Sequence, residues 1–405
     1  MDHEQVIALT DVQEAYARLS GVLHKTPLDR SRTFSMMTGC DVYLKLDNLQ
    51  KTGSFKIRGA YNKIQSLTER EKASGVIAAS AGNHAQGVAY AASLAGIKST
   101  IVMPEGAPLA KIIATRGYGA EVVLHGAVYD DAYEQALKIQ QESRQTFVHA
   151  FNDAAVMAGQ GTIGLEILED LDDVTAIVVP IGGGGLISGI ATAVKAKAPQ
   201  VKIYGVQATG ASAMYLSKYA HSLKTTSDAQ TIADGIAVKI PGDLTFPIVE
   251  KYVDEIVTVD DEAIAGAILL LLERAKLMVE GAGAISLAAI LNGKIPQKGK
   301  IVSVISGGNI DVNTISRIIE RGLVKSGRRV RLSTVLLDRP GALEGFLTVI
   351  AKLKANILHV HHDRVERHVP IGRSNVEVCL ETRDTMHTEE IIATLRQDGY
   401  NVEIL

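Results

Sequence analysis

Short apolar runs alternate with amphipathic stretches along the first three quarters of the chain. Runs at 75–79, Ser99–Met103 and Glu121–Leu124 are four or five residues long and rich in small or β-branched side chains, as in buried strands. Stretches such as Asn83–Leu94 between them have the length and spacing of helices. This alternation predicts an α/β fold with a mostly parallel sheet covered by helices. It continues with elements at 11–20, 41–45, 111–118, 129–144, 162–168, 176–179, 190–196, 201–206, 263–279, 284–291 and Lys300–Ile305.

The pattern changes after residue 327. Strand-like runs and two helical stretches then follow one another in the order βαββαβ, which predicts a ferredoxin-like module. The strands are expected at 332–337, 356–362, 375–381 and 401–405, and the helices at 340–354 and 388–398.

Composition excludes several classes of protein. The 405 residues are 46% hydrophobic and 21% charged, with a formal net charge of -3, which gives no basis for binding nucleic acid or an acidic membrane. No apolar run reaches the length of a membrane span, and the first residues lack the pattern of a signal peptide. Cys40 and Cys379 are far apart and form no paired spacing. We therefore expect a cytoplasmic protein without a membrane partner.

A lysine among apolar neighbours is the first candidate for chemistry. Lys56 stands between Phe55 and Ile57, after the turn-forming residues 52–54 and at the start of a helix expected to run to about residue 67. Loss of water and the positive end of the helix dipole both lower the pKa of such an amine. A free amine can form a Schiff base with an aldehyde. Taken alone, however, a lysine is more often a solvated surface residue.

A glycine-rich turn is the second candidate. Residues 182–186 read G-G-G-G-L, between an apolar strand and a helix expected from about Ser188. Inward-turned backbone N–H groups at a helix N-terminus bind phosphate. The turn lacks the G-K-[ST] of a P-loop and a G-x-G-x-x-G pattern, so nucleotide binding is less favoured. A purely structural turn is the alternative.

Four motifs in one order carry a family resemblance. S-F-K-I-R-G at 54–59, S-A-G-N-H-A-Q-G at 80–87, the turn at 182–186 and S-G-G-N at 306–309 resemble the pyridoxal-phosphate enzymes of the tryptophan-synthase-β fold type, most closely the threonine dehydratases (threonine ammonia-lyases). The resemblance implies a catalytic region over 1–325, with a smaller domain at about 52–150 inserted in a larger one. D-R-P-G-A-L at 338–343 resembles the start of an ACT domain, which implies that 328–405 form one.

The resemblance also implies roles for individual residues. Lys56 carries the cofactor and the Cα proton, Phe55 packs near the ring, Asn83 contacts the 3′-oxygen, and Ser306 meets the pyridine nitrogen. For His84, a structural part is favoured over that of a catalytic base. The remaining residues fall into two groups. The substrate carboxylate is bound by Ser80, Ala81, Gly82, Asn83 and His84, and Ser80 is also given a catalytic part. The phosphate is held by Gly182, Gly183, Gly184, Gly185 and Leu186.

The implied reaction eliminates the β-hydroxyl of L-threonine as water, after which hydrolysis of the resulting enamine gives 2-oxobutanoate and ammonia; L-serine gives pyruvate in the same way. The alternatives are a serine racemase, a β-replacement synthase, and a sensor without turnover. Racemases of this type place a serine where this chain has Ala81, and they bind a divalent ion through carboxylates that are lacking after Gln207. We therefore expect no divalent site, while a monovalent cation near Gly235 or Glu280 stays open. Glu280 is otherwise interpreted as an ordinary helix-end carboxylate.

The tail suggests regulation. Gly341 and Asn356 match positions where ACT domains contact amino-acid effectors. The expected effector is isoleucine or valine, and the expected role of the protein is in isoleucine biosynthesis. A bare dimerisation module is the alternative, and pairing of such domains favours a homo-oligomer, a dimer or a tetramer. His359, His361, His362 and His368 lack a clear set of partners for a metal, so none is expected.

Overall fold

The computed structural model describes residues 6–296, 298–365 and 369–405, and it divides into two compact units. The units are Met1–Asp311 and Val312–Leu405. The helix that begins the second unit therefore groups with the C-terminal residues, whereas the limits expected from the motifs leave it in the catalytic region. Those limits stay a prediction.

The first unit contains thirteen helices among its described residues, which are α1 (Leu9–Leu19), α2 (Arg32–Thr38), α3 (Lys56–Gln65), α4 (Glu69–Ser74), α5 (Asn83–Leu94), α6 (Leu109–Gly117), α7 (Tyr129–Ser143), α8 (Ala154–Asp170), α9 (Gly185–Lys197), α10 (Ala213–Tyr219), α11 (Thr245–Tyr252), α12 (Asp261–Leu270) and α13 (Gly281–Leu291). Its strands are β1 (Leu28–Arg30), β2 (Asp41–Leu46), β3 (Val76–Ala79), β4 (Ser99–Met103), β5 (Glu121–Leu124), β6 (Thr146–Phe147), β7 (Val174–Pro180), β8 (Lys202–Ala208), β9 (Glu255–Val259) and β10 (Lys300–Ile305).

These strands form two sheets, and the predicted α/β class is confirmed. The larger sheet has the order β1-β2-β10-β7-β8-β9, parallel except for the outer pair β1 and β2. The smaller sheet, β5-β4-β3-β6, is entirely parallel and lies within the range expected for the inserted domain. Ligands of such sheets bind beyond the carboxyl ends of the strands. The loops after β3, β7 and β10 are therefore expected to border a ligand site.

Two helices differ most from their predicted bounds. The element expected at 162–168 is the longer helix α8. Its three internal glycines lower the helix propensity of the sequence, so the predicted helix is too short. The helix expected over 263–279 is wrong at its end. Helix α12 stops at Leu270, and a π-helical turn covers Leu271–Ala275. Lys276 then has a φ of 60°, and because this left-handed position is not a glycine, the sequence gives no signal for the end of the helix.

Close backbone contacts explain the glycines of α8. A Cβ atom on Gly159 would lie 2.6 Å from the carbonyl oxygen of Arg58, and one on Gly161 would lie 2.7 Å from that of Gly189. Only glycine permits helices to approach so closely. Helix α8 therefore lies against α3 on one side and against α9 on the other, and it holds both in place.

The second unit consists of α14 (Val312–Lys325), β11 (Arg329–Leu337), α15 (Ala342–Lys352), β12 (Asn356–Asp363), β13 (Arg373–Glu381), α16 (Thr385–Gln397) and β14 (Val402–Ile404). The strands form an antiparallel sheet of order β12-β13-β11-β14, and Phe346, Ile350, Leu380 and Ile391 pack in the core. After α14, the order of elements is βαββαβ. The predicted ferredoxin-like topology is confirmed.

Candidate functional site

Lys56 is the first residue of α3 and lies between the loop after β6 and the loop after β10; we call the space between these carboxyl ends of the two sheets the cleft. Its Nζ atom donates a hydrogen bond to the carbonyl oxygen of Ala150 at 2.9 Å and lies 5.2 Å from the centre of the Phe55 ring. Loss of water lowers the pKa of this amine to about 8, and the charge of Glu280 opposes the shift only in part. A useful fraction of the amine is therefore free of its proton near neutral pH.

The glycine-rich turn follows β7 and opens directly into α9, which starts at Gly185 rather than near Ser188. Gly184 has a φ of +100°, and a Cβ atom on Gly183 would lie 2.3 Å from the ring of Phe151. No side chain fits at these positions. The first N–H groups of α9 have no carbonyl one turn earlier, and the helix dipole adds positive potential. The turn suits an anion such as phosphate.

Ser306 is buried at the carboxyl end of β10. Its Oγ atom donates to the carbonyl oxygen of Ala282 at 3.2 Å. Its own carbonyl oxygen accepts a hydrogen bond from the N–H of Phe55 at 3.0 Å, and Ser54 and Gly307 form an isolated β-bridge beside it. The structure therefore joins the segment before Lys56 directly to the Ser306 loop.

The loop after β3 leads directly into the N-terminus of α5. Ser80 Oγ accepts a hydrogen bond from the N–H of Gly82 at 3.1 Å, and α5 begins at Asn83 as predicted. His84 is buried on this helix, with Nε2 at 2.7 Å from the carbonyl oxygen of Val148. Since a carbonyl only accepts, Nε2 carries the proton. Burial lowers the pKa of His84 to about 3, and the charge of Lys56 adds to the effect, so the ring is neutral near pH 7.

A chain of polar side chains crosses the cleft at Asn83. Its Nδ2 atom donates to Glu280 Oε1 at 2.6 Å, and its Oδ1 atom accepts from Asn309 Nδ2 at 2.8 Å. Asn309 also donates to the carbonyl oxygen of Thr52 at 2.8 Å. Glu280 is buried, and burial raises its pKa to about 7, with the charge of Asp234 adding to the effect. The direction of the Asn83 amide is therefore fixed from both sides.

Sequence reasoning missed three contributors. Glu280 was interpreted as an ordinary helix-end carboxylate, and Asn309 was part of a quoted motif without a role. His149, after β6, was not singled out, although burial lowers its pKa to about 4 and its Nδ1 accepts the N–H groups of Phe151 and Asn152 at 3.2 and 2.9 Å. The only signal for this loop was its position directly after a short strand.

The second unit has a cavity of its own at the start of α15. Its volume is about 290 Å³, and Gly341, with a φ of +85°, lies in its wall. Asp338 and Arg364 form an ion pair at 3.0 Å in the same wall. Asn356 lies at the other end of β12, where it donates to Glu381. Glu381 lies seven positions along β13 from Ser374, which lines the cavity, and this spacing is roughly 23 Å. Gly341 and Asn356 therefore do not share one site within a single unit.

In the described part of the chain, no group of three or more histidine, cysteine, aspartate or glutamate side chains could hold a metal ion. His359, His361 and His362 are exposed on β12, and His368 lies outside the described residues. Nor does any helix in this part have both the length and the apolar character to cross a bilayer.

Fold and cleft together define an α/β enzyme organised around a lysine amine. Residues 19–307 match the pyridoxal-phosphate dependent enzymes. An L-threonine ammonia-lyase of Thermotoga maritima is 56% identical over 401 residues, covering 99% of this chain and 100% of that relative. Two solved structures are similar. Maize serine racemase has a TM-score of 0.75 and 37% identity, covering 79% of this chain and 99% of that one. Threonine deaminase isoform 2 of Solanum lycopersicum has a TM-score of 0.74 and 37% identity, covering 77% of this chain and 92% of that one. The chain belongs to the pyridoxal-phosphate dependent enzymes.

The residues of the cleft fit that cofactor. Pyridoxal phosphate is an aldehyde that carries a phosphate, and Lys56 supplies an amine with a pKa of about 8 for the aldehyde. The turn before α9 supplies backbone donors for the phosphate. The buried Nδ1 of His84 and Oγ of Ser54 have no hydrogen-bond partner among the described residues, so polar atoms are left over for a bound molecule.

Proposed function

We propose that this protein is a threonine ammonia-lyase, which converts L-threonine to 2-oxobutanoate and ammonia and also accepts L-serine. The observation that carries the proposal is the Lys56 amine, with its lowered pKa, at the start of α3 between two helix N-termini that suit anions. The relative from Thermotoga maritima, similar over its whole length, bears the name of this activity.

Each residue of the cleft takes a part in the proposal. Bound pyridoxal phosphate supplies the electron sink for breaking the Cα–H bond. Lys56 would hold the aldehyde and then move the Cα proton. The N–H groups of 80–84, with Ser80, would orient the substrate carboxylate, while Asn83 would contact the 3′-oxygen of the cofactor and Phe55 would pack beside its ring. The phosphate would be held by Gly182, Gly183, Gly184, Gly185 and Leu186, and the ring nitrogen would be met by Ser306.

Two features favour elimination over its main rival, racemisation. Ser306 offers a neutral hydroxyl to the ring nitrogen, and a hydroxyl does not hold that nitrogen protonated as a carboxylate does. A weaker electron sink favours prompt loss of the β-hydroxyl. Ala81 has no hydroxyl with which to reprotonate the opposite face. Serine racemase is the second candidate because a solved one is similar at 37% identity.

The C-terminal unit extends the proposal to regulation. We propose that it is an ACT domain over 328–405 and that its cavity takes isoleucine or valine as an effector. The ion pair of Asp338 and Arg364 places both signs of charge in the wall, as a zwitterionic amino acid requires. Because Asn356 lies far from Gly341, a complete effector site of this kind draws on a second copy of the domain, and a homo-oligomer follows.

The test is direct. Cofactor-loaded protein is mixed with L-threonine, and 2-oxobutanoate is followed with and without isoleucine. We expect production that isoleucine changes, and no production in Lys56→Ala. Lys51→Ala, which removes an exposed lysine from the same segment, is the matched control and should keep full activity. Turnover by Lys56→Ala at the wild-type rate would refute the role of Lys56.

Chiral analysis of residual serine separates the second candidate. A racemase converts L-serine to D-serine faster than it releases ammonia, whereas a lyase does the reverse.

A further inference from the structure

Four charged side chains are buried together beneath α3, outside the cleft. Lys45, Asp47, Arg58 and Glu166 are each exposed by 3% or less. Two carry positive charge and two carry negative charge, so the group is neutral as a whole. The mechanism proposed above uses none of them.

Arg58 is the centre of this group. Its guanidinium donates to both carboxylate oxygens of Asp47, at 2.7 and 3.0 Å, and to both of Glu166, at 2.5 and 3.0 Å. A further bond reaches Thr162 Oγ1 at 3.1 Å. Lys45 meets the same Glu166 at 2.5 Å. Burial alone would lower the pKa of Arg58, but the two carboxylates outweigh it and raise the pKa, so the side chain stays charged.

Stability alone is a weak reason for such a group. Replacing a buried ion cluster by well-packed apolar residues often leaves a protein equally stable or more stable. What the cluster does provide is direction, because the flat guanidinium binds two carboxylates only in one orientation. Its members come from β2, from the turn Asp47–Leu49, from α3 and from α8.

The fixed direction reaches Lys56 through a short path. The N–H of Arg58 donates to the carbonyl oxygen of Phe55 at 2.9 Å, which closes the turn that contains Lys56. The next residue, Gly59, donates its N–H to Gln160 Oε1 at 3.2 Å. The first turn of α3 is therefore held against α8 on the side away from the cleft.

We propose that Arg58, anchored by Asp47 and Glu166, is a positioning residue that fixes the direction in which the Lys56 amine enters the cleft. This inference rests on the proposed role of Lys56 as the residue that carries the cofactor. A displacement of a reacting group by about 1 Å can cost about 100-fold in rate.

The experiment compares two neutral double variants of the full chain. Arg58→Met/Asp47→Asn removes the anchor, and Lys195→Met/Asp254→Asn removes an ion pair of 2.7 Å in the same unit but away from α3. Each is measured for Tm, for kcat and KM with L-threonine, and for the pH dependence of Lys56 acetylation in the cofactor-free protein. We expect the first to lower kcat by about tenfold or more with a change in KM below about threefold, and to shift the acetylation profile. The second should lower Tm only.

Two outcomes overturn the inference. If Arg58→Met/Asp47→Asn folds and keeps kcat and the acetylation profile of Lys56, Arg58 is merely structural and the proposal fails, whatever the change in Tm. If Arg58→Met/Asp47→Asn does not fold, Arg58→Lys decides, because one ammonium cannot hold two carboxylates in the same geometry. A kcat within about twofold of wild type in Arg58→Lys then overturns the proposal.

Failure of the underlying function has a different signature. In that case the wild-type protein shows no cofactor absorbance that depends on Lys56, whatever the Arg58 variants do.

Discussion

At the scale of single residues, the cleft favours uncharged forms. Burial lowers the pKa of Lys56 to about 8, of His84 to about 3 and of His149 to about 4, and it raises the pKa of Glu280 to about 7. In each case loss of water is the largest cause. The same loss of water strengthens each hydrogen bond and charge contact that a bound ligand makes with these groups.

Lys56→Met should stabilise the cofactor-free chain at pH 7. The folded-state pKa of Lys56 is about 8 against 10.5 in the unfolded chain, so the unfolded chain holds the proton more tightly. The penalty is complete below pH 8 and vanishes as the pH rises to 10.5. Because the cleft is partly open to water, we expect a gain of about 2 kcal/mol at pH 7 and almost none at pH 10.5. Urea unfolding at the two pH values measures it; an equal gain at both would show that packing is the cause.

Glu280→Gln should also stabilise the cofactor-free chain, but here the penalised form is an anion, so the gain is expected at the higher pH rather than the lower one. The pKa of Glu280 is raised from 4.5 to about 7, so the folded state prefers the protonated carboxyl. The penalty that burial places on the ionised carboxyl is absent below pH 4.5, grows between pH 4.5 and 7, and is complete above pH 7. Gln keeps an acceptor for Asn83. We expect a gain of about 2 kcal/mol at pH 8 and none at pH 4, measured by urea unfolding. A loss of stability at pH 8 would contradict the assignment.

At the scale of elements, the sequence predicted those that depend on local pattern. Asn83–Leu94, Ser99–Met103, Glu121–Leu124 and Lys300–Ile305 have the bounds expected from their apolar runs. The sequence pattern predicts too short a helix for α8, because its glycines lower the helix propensity. These glycines are needed for close contact with backbone that is distant in the sequence. Such contacts leave no local signal.

The candidate site divides in the same way. Ser80, the turn at 182–186 and Ser306 stand in recognisable motifs at strand ends, and Lys56 stands in one at the start of α3. The structure brings their loops together. The bond between Asn83 and Glu280 joins residues 197 positions apart, so no periodicity could have revealed it. The buried partners of Arg58 were hidden for the same reason, since each looks like a surface charge in the sequence.

Gly159→Ala should be strongly destabilising, although alanine is the better helix former. The added Cβ atom would lie 2.6 Å from the carbonyl oxygen of Arg58, and the backbone must move to admit it. We expect a loss of about 2 kcal/mol or more in the free energy of unfolding. Gly266→Ala in α12, where nothing lies within 4 Å, is the matched control and should gain about 0.5–1 kcal/mol. Equal effects at both positions would mean that α3 and α8 do not touch at Gly159.

At the scale of the whole molecule, chemistry and proposed control lie in separate compact units. The cleft belongs entirely to Met1–Asp311, and the cavity beside Gly341 belongs to Val312–Leu405. A regulatory ligand acts only through a difference in affinity between two states of the protein. Changes in the cavity should therefore alter the response to the effector and leave the unliganded rate alone.

Asp338→Asn tests this separation. We expect isoleucine to bind at least about tenfold more weakly, because the carboxylate opposite the amino group is lost, while kcat without isoleucine stays within about twofold. Asp398→Asn, an exposed aspartate at the end of α16, is the control and should bind normally. Isothermal titration and initial rates provide the two readouts. Tight binding by Asp338→Asn would move the effector site elsewhere.

The bonds between the Phe55 segment and the Ser306 loop have a consequence for turnover. The N–H of Phe55 donates to the carbonyl oxygen of Ser306 at 3.0 Å, and the N–H of Gly308 donates to that of Gly53 at 2.9 Å. The two proposed anchors of the cofactor therefore move as one piece, while Ser80 follows a strand of the smaller sheet. If the sheets separate to exchange one amino acid for the next, the spacing between Lys56 and Ser306 is preserved. Substrate can then leave many times for each loss of cofactor. When the protein is diluted, bound amino acid should therefore be lost long before the cofactor.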